Sequence, residues 1–455
     1  MKWLNLFLVG CTLLGAHSLV SAKITKDPYM NYEDDSIRPQ DNFFMHANGK
    51  WLKEVKIPED RAQYGAFVEL IDQNEQQLKE IVHSLVKKSK RTPHEERIVA
   101  LYQSFMDTKT LNTHKAKPIA SQLEAIQHIK TYDDLVSIMA QSMKEGVSLP
   151  WGAYVMPDPK NTDVHIMTIA QGGLSLPDRD YYLKDDENMR KVQEAYKAYI
   201  QKISLLSGLA ESEKKAKALA QTVYQVEHTL AQHHWTQVDT RDVDKTYNPR
   251  QSKTLLKDYP NLGFQQVFKL WQHEMPHEII VTQPSYFENL NKQLKTISLE
   301  DWKTYLAFHT LNSYAEFLDE PMVQARFDFY GKVLQGKEKD DPRERKAVNL
   351  INQLIGDEMG QVFVEKHFTK GDKATIENLV QHLLEAFNQS LDELTWMTPK
   401  TKEMARKKIK GMRVHVGFPK KWKSYEGLVL SSDSLVQNVA KAVQYEFDRD
   451  LKKLQ

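Results

Sequence analysis

The chain has 455 residues, 41% hydrophobic and 10% aromatic, which is enough to bury one or two substantial cores. Its 62 Lys and Arg balance 61 Asp and Glu and are interspersed with them, which excludes a basic nucleic-acid-binding field and an acidic tail. Beyond the N-terminus no apolar run approaches membrane-spanning length.

Residues 1–22 read as an export signal. Lys2 supplies the positive start, Trp3 to Val20 is almost uncharged, and Val20-Ser21-Ala22 places small residues just before Lys23. A second reading stands beside it: Leu8-Val9-Gly10-Cys11 resembles a bacterial lipobox, which would leave Cys11 as a lipid-bearing N-terminus. Cys11 is the only cysteine, so a chain cut after Ala22 forms no disulfide. Export without disulfides points to a bacterial periplasmic or surface protein.

Helical periodicity dominates the rest of the chain. Phe67, Leu70, Ile71, Leu78, Ile81 and Leu85 share one face of a helix predicted over Tyr64–Val86. Further helices are predicted at Glu95–Met106, Met189–Leu206, Glu211–Trp235, Leu299–Phe317, Arg345–Phe368, Lys373–Leu394 and Ser434–Leu451. Ser298 is placed to cap one of these, with Asp301 reaching back. Thr398-Pro399 starts another, which Gly411 stops. Strand signals are few: a hairpin of Trp151–Met156 and Val164–Ala170, and short stretches at Ile279–Thr282 and Val414–Phe418. The expected fold is mainly α with small β elements.

His273-Glu274-Met275-Pro276-His277 spells H-E-x-x-H, in which two histidines four apart on one helix face hold zinc and the glutamate polarises a metal-bound water. That geometry needs a continuous helix. Pro276 removes a helical N–H, clashes with the carbonyl of Gln272 and costs roughly 3 kcal/mol. His273 and His277 are therefore read as a decoy in a loop before a strand. Glu446 and Asp450 give an E-x-x-x-D spacing, but far away on an amphipathic helix. His228, His233 and His234, near Glu227, do not share a face at i, i+4 spacing. No catalytic or metal-binding residue is assigned.

Several phrases, in order, resemble the neprilysin and endothelin-converting-enzyme family of zinc metallopeptidases. They begin with Asp41-Asn42-Phe43-Phe44-Met45-His46-Ala47-Asn48-Gly49-Lys50-Trp51-Leu52, similar to the family's "NGKW" turn before its first long helix, and Tyr64-Gly65-Ala66-Phe67. Leu176-Pro177-Asp178-Arg179-Asp180-Tyr181-Tyr182 looks like the "LPDRDYY" signature, in which Arg179 and Asp180 read as a packed ion pair. Thr246-Tyr247-Asn248-Pro249, Val364-Glu365-Lys366-His367-Phe368, Asp392-Glu393-Leu394-Thr395-Trp396-Met397 and Val416-Gly417-Phe418-Pro419 come next. The resemblance spans roughly residues 30 to 450 and covers the family's N-terminal part. Where mammalian members place a substrate-binding arginine this chain has Gln63, with Arg61 only nearby, so substrate-binding residues stay unassigned.

The resemblance implies a large multi-helix lobe, truncated before the thermolysin-like catalytic lobe. Its implied divisions are a signal peptide at 1–22 and an entry segment at 23–65 that packs on the catalytic lobe. After these come a helical peptidase lobe at 66–425 and a C-terminal helix at 426–455 leading to the catalytic domain. The implied function is the N-terminal region of an exported zinc metalloendopeptidase that cleaves short peptides. Zinc belongs to the intact enzyme, and this chain is expected to be inactive alone. The alternative is a non-catalytic periplasmic peptide- or protein-binding helical module. Expected partners are peptides and the C-terminal catalytic domain, with no nucleic acid.

Overall fold

The computed structural model describes residues 32–454. The export-signal and lipobox readings, Cys11 included, lie outside the described residues. The chain divides into a short unit ending at Pro58 and a large one beginning at Glu59.

In the short unit, Phe43–Glu54 forms helix α1. Asn42 caps it, its side chain accepting from Met45 N–H at 3.0 Å. The Asn48-Gly49-Lys50-Trp51 phrase, expected as a turn, lies inside this helix. Glycine is required there by proximity: a Cβ on Gly49 would stand 2.6 Å from that of Asp34. Lys53, bonded to the Asp34 carboxylate at 2.5 Å, and Ser36 hold that carboxyl low, at about 2.

The large unit is mainly helical. Among its helices are α2 (Ala66–Lys87), α3 (Pro93–Met106), α4 (Tyr132–Lys144), α5 (Glu187–Ser207), α6 (Glu213–Ala231), α7 (Phe264–Leu270), α8 (Pro284–Thr296) and α9 (Leu299–Tyr314). After these come α10 (Glu320–Arg326, running into a π-helix at Phe327–Val333), α11 (Arg343–His367), α12 (Lys370–Glu393), α13 (Pro399–Lys410) and α14 (Leu435–Leu451). Local sequence sets many of the starts. Thr92 and Glu95 form a reciprocal capping box on α3, with Pro93 in the first turn. Ser298 accepts from Asp301 N–H at 3.1 Å, but the Asp301 carboxylate returns to the Ser298 hydroxyl instead of its backbone.

Helix α9 is the centre of the core. Trp302, Tyr305, Leu306, Phe308, Leu311 and Tyr314 are all buried, so it is enclosed on nearly every side. Helices α2, α3 and α11 are tied together by buried charge. Arg97 grips Glu358 with Nε at 2.9 Å from Oε1, and Arg345 Nε lies 2.5 Å from Glu75 Oε2.

The one sheet among the described residues has four strands in the order β1-β2-β4-β3. These are β1 (Trp151–Asp158), β2 (Asn161–Gln171), β3 (Pro249–Gln251) and β4 (Glu278–Val281). The expected hairpin is β1–β2, antiparallel, with Trp151 opposite Gln171. Strand β4 joins β2 in parallel, Thr168 opposite Ile280. Val414–Phe418, expected as a strand, is a loop. Gly417 adopts φ 71° against the ring of Phe368, and Phe418 N–H turns back onto Val416 O at 2.9 Å, which an extended strand cannot do.

Candidate functional site

The H-E-x-x-H residues sit where α7 has already ended. Gln272 takes a left-handed φ of 56°, His273 N–H bonds back to Phe268 O at 3.1 Å, and the chain runs without helix into β4. Ser252 holds this turn, its hydroxyl on Pro276 O and its N–H on His277 O at 2.9 Å. His273 and His277 therefore share no helix face. Glu446 pairs with Arg449, and Asp450 with Lys453 at 2.5 Å. No group of three or more His, Cys, Asp or Glu able to hold a metal occurs among the described residues. Gln63 is exposed, whereas Arg61 is committed to Asp72 and to Glu75 at 3.4 Å.

The Gly173–Tyr182 loop is organised around a residue that sequence reading passed over. Glu227 on α6 is fully buried, and its carboxylate is contacted by four groups. Ser175 Oγ lies at 2.7 Å, Tyr182 OH at 3.0 Å, Tyr196 OH at 2.7 Å and His309 Nε2 at 2.8 Å. With Glu227 ionised, Nε2 of His309 must carry the ring hydrogen. Burial, then the charge of Glu227, pushes the Tyr182 and Tyr196 phenols well above their usual range, so both stay donors at any ordinary pH. Tyr182 OH also accepts from Leu176 N–H at 3.0 Å, closing the loop on itself. Gly173 starts the loop at φ 81°, where a Cβ would collide with Pro150 and the Tyr305 hydroxyl. The signal for Glu227 is its spacing: Ala216, Ala220, Val223, Glu227 and Leu230 form one buried helix face interrupted by a carboxylate.

Arg179 and Asp180 do not pair. Arg179 donates to His234 O, while Asp180 pairs with Lys184 at 2.9 Å. Helical geometry separates consecutive side chains, and Lys184 one turn on is the nearer partner. Burial lowers the His234 ring from 6.5 to about 4, although its Nε2 contact with Gly172 O (3.0 Å) opposes this. Between those values the unfolded chain binds a proton that the folded chain refuses. Stability complete above pH 6.5 is therefore lost as the pH falls toward 4. His234→Gln keeps a donor for Gly172 and should flatten this slope by up to about 1.4 kcal/mol per pH unit. Urea denaturation at several pH values checks it, and parallel curves for the two proteins would refute it.

Apolar side chains gather on the surface elsewhere. Helix α12 buries only Leu391, while Ile376, Leu379, Leu383 and Phe387 form an exposed stripe on one face. Trp396, 73% exposed, and Met404 on α13 are exposed as well. At the start of α2, Phe67, Leu70 and Ile71 are exposed, and in the short unit so are Phe43 and Phe44. Helix α14 instead faces inward. Val439 is buried and Val443 packs beside Gly146, because Leu435, Val436, Val439 and Ala442 turn one apolar face into the core.

Residues 39–419 match the family model described as peptidase family M13. Endothelin-converting enzyme-like 1 of Mus musculus is 26% identical over 435 residues, covering 91% of this chain and 53% of that protein. Neutral endopeptidase of Lactobacillus helveticus is 22% identical over 412 residues, 90% of this chain and 63% of that one. Among solved structures, the Mycobacterium tuberculosis zinc metalloprotease Zmp1 in complex with an inhibitor superposes with a TM-score of 0.87 at 30% identity, over 93% of this chain and 64% of that one. The chain thus spans about half the length of the curated relatives it matches first.

Proposed function

Because the chain belongs to peptidase family M13, we propose that it forms the helical N-terminal lobe of an exported zinc metalloendopeptidase acting on short peptides. The observation that carries this reading is the continuous match over residues 39–419 together with the likeness to a zinc metalloprotease. In this reading residues 23–65 are an entry segment, 66–425 the lobe proper, and 426–455 the passage to a catalytic domain. The described residues do not fit a zinc ion. His273 and His277 share no helix face, and no three ligands converge. The metal and its acid–base chemistry are assigned to the share of such proteins that this chain does not span, and no step of hydrolysis is derived from the residues present. The exposed stripe of α12, with Trp396 and Met404, is the proposed seat for that share, since an apolar surface of this kind favours a partner over water.

The 455-residue chain alone is expected to show no chelator-sensitive cleavage of fluorogenic peptides with added zinc. Supplying the C-terminal part of a relative such as Zmp1 should restore it. Cleavage by the chain alone that chelator stops and His273→Ala abolishes would place the metal at His273 and His277 after all.

The exported protein is expected to begin at Lys23 without lipid. Intact-mass spectrometry decides this, and a diacylglycerol-bearing Cys11 at the N-terminus would replace it with a tethered form. No helix among the described residues is long and apolar enough to cross a membrane.

A further inference from the structure

Strand β1 ends the sheet, and two hydrogen bonds fix which of its backbone groups face the open side. Gly172 N–H donates to Pro150 O at 3.0 Å, so residues 150 and 172 form a hydrogen-bonded pair. By the alternation of an antiparallel ladder, Gly152–Ala170, Tyr154–Thr168 and Met156–Ile166 are bonded pairs too. On the far side of β2, Thr282 N–H donates to Ile169 O at 3.0 Å, as it must if the odd-numbered residues of β2 face β4. Trp151, Ala153 and Val155 therefore point their N–H and C=O groups away from β2. Among the described residues no strand pairs with that edge, and none of these groups has a hydrogen-bond partner. Pro157 occupies the next outward position, where it has no N–H to leave unpaired, and closes the open stretch.

Helix α14 packs near β1 and Ala153 and Val155 are half-buried, so the room beside this edge lies on the face that carries Gly152 and Tyr154. Trp151 turns into the core, its ring 5.3 Å from that of Phe264. Tyr154 projects to the opposite face and is 46% exposed. A Cβ added at Gly152, on the same face as Tyr154, would meet nothing within 4 Å.

We infer that the β1 edge is a docking strand for an extended peptide, held by backbone pairing to Ala153 and Val155, since Trp151 is buried. Donors and acceptors that repeat every second residue complement an extended polypeptide backbone, whatever its side chains. Tyr154 and the open space at Gly152 receive alternate side chains of the guest. The identity of the guest as a peptide substrate rests on the peptidase reading, but the binding needs neither zinc nor turnover.

The test immobilises the 455-residue chain on a biosensor and flows an eight-residue peptide of alternating threonine and valine in EDTA. Ala153→Pro and Val155→Pro each remove only an outward N–H, so the β1–β2 ladder is kept. Each is expected to weaken binding at least tenfold with an unchanged melting temperature. The same peptide N-methylated at every residue should lose binding to the wild-type chain to the same extent. That comparison decides the matter if the proline variants do not fold. Equal binding of the plain and N-methylated peptides overturns the proposal, as does the absence of any peptide binding. So does capture of a second copy of the chain, lost in Ala153→Pro, in place of peptide. Failure of the longer protein to cleave peptides would count against the peptidase reading and leave this result standing.

Discussion

Glu227→Ala is expected to destabilise the large unit by about 3–5 kcal/mol, the range for removing one partner of a buried charged network. The loss is large because four donors converge on one fully buried carboxylate. Alanine leaves Ser175, Tyr182, Tyr196 and His309 with donors aimed at a cavity. Glu227→Gln should cost less, because its carbonyl oxygen still accepts, but its amide hydrogens face groups that are themselves donors. Tyr196→Phe removes one donor from an otherwise complete set and should cost only about 1 kcal/mol. Far-UV circular dichroism in a urea series ranks the three. A Glu227→Ala cost below that of Tyr196→Phe would show that the carboxylate does not organise this core. Limited proteolysis supplies a local readout, since Ser175 and Tyr182 anchor the Gly173–Tyr182 loop, which should become the first site cut.

Most of the fold is legible in the sequence where local chemistry decides it. The starts of α3, α9 and α13 are written in Thr92, Ser298 and Thr398, each of which accepts a backbone hydrogen bond in its first turn. The rejection of a helix at His273–His277 needs only Pro276 and the strand after it. What is not legible depends on partners distant in sequence. Val414–Phe418 has strand composition, but the Phe368 ring and a left-handed Gly417 hold it as a loop. The helical state of Asn48–Trp51 depends on a close approach to Asp34. Glu227 is hidden because a carboxylate on an apolar helix face looks like an exception until Ser175, Tyr182, Tyr196 and His309 are brought to it from three segments. The amphipathic pattern of α12 is plain, yet periodicity cannot tell a face buried in the chain's own core from one kept for a partner.

The 455-residue chain is expected to self-associate at micromolar concentration, and the double substitution Leu383→Lys, Phe387→Glu is expected to make it monomeric. Both residues are mostly exposed on α12, so the change should alter the melting temperature little. Their value lies in association: burying each contributes roughly 1.5–3 kcal/mol against a complementary surface. Losing both should weaken binding to a C-terminal catalytic half by at least about a hundredfold, since each 1.4 kcal/mol is a factor of ten. The residues chosen also separate the two functional readings. A lobe that completes an enzyme needs this stripe covered by a fixed intramolecular neighbour, and charging it should abolish complementation by the Zmp1 C-terminal part. A free-standing binding module needs no such neighbour. Analytical ultracentrifugation of the wild-type chain, alone and with that part, discriminates between them. A wild-type chain that is monomeric, unfolds cooperatively and ignores the C-terminal part would leave the α12 stripe without a partner in the family fold. The peptide- or protein-binding module would then be the better account of the exposed faces on α2, α12 and α13.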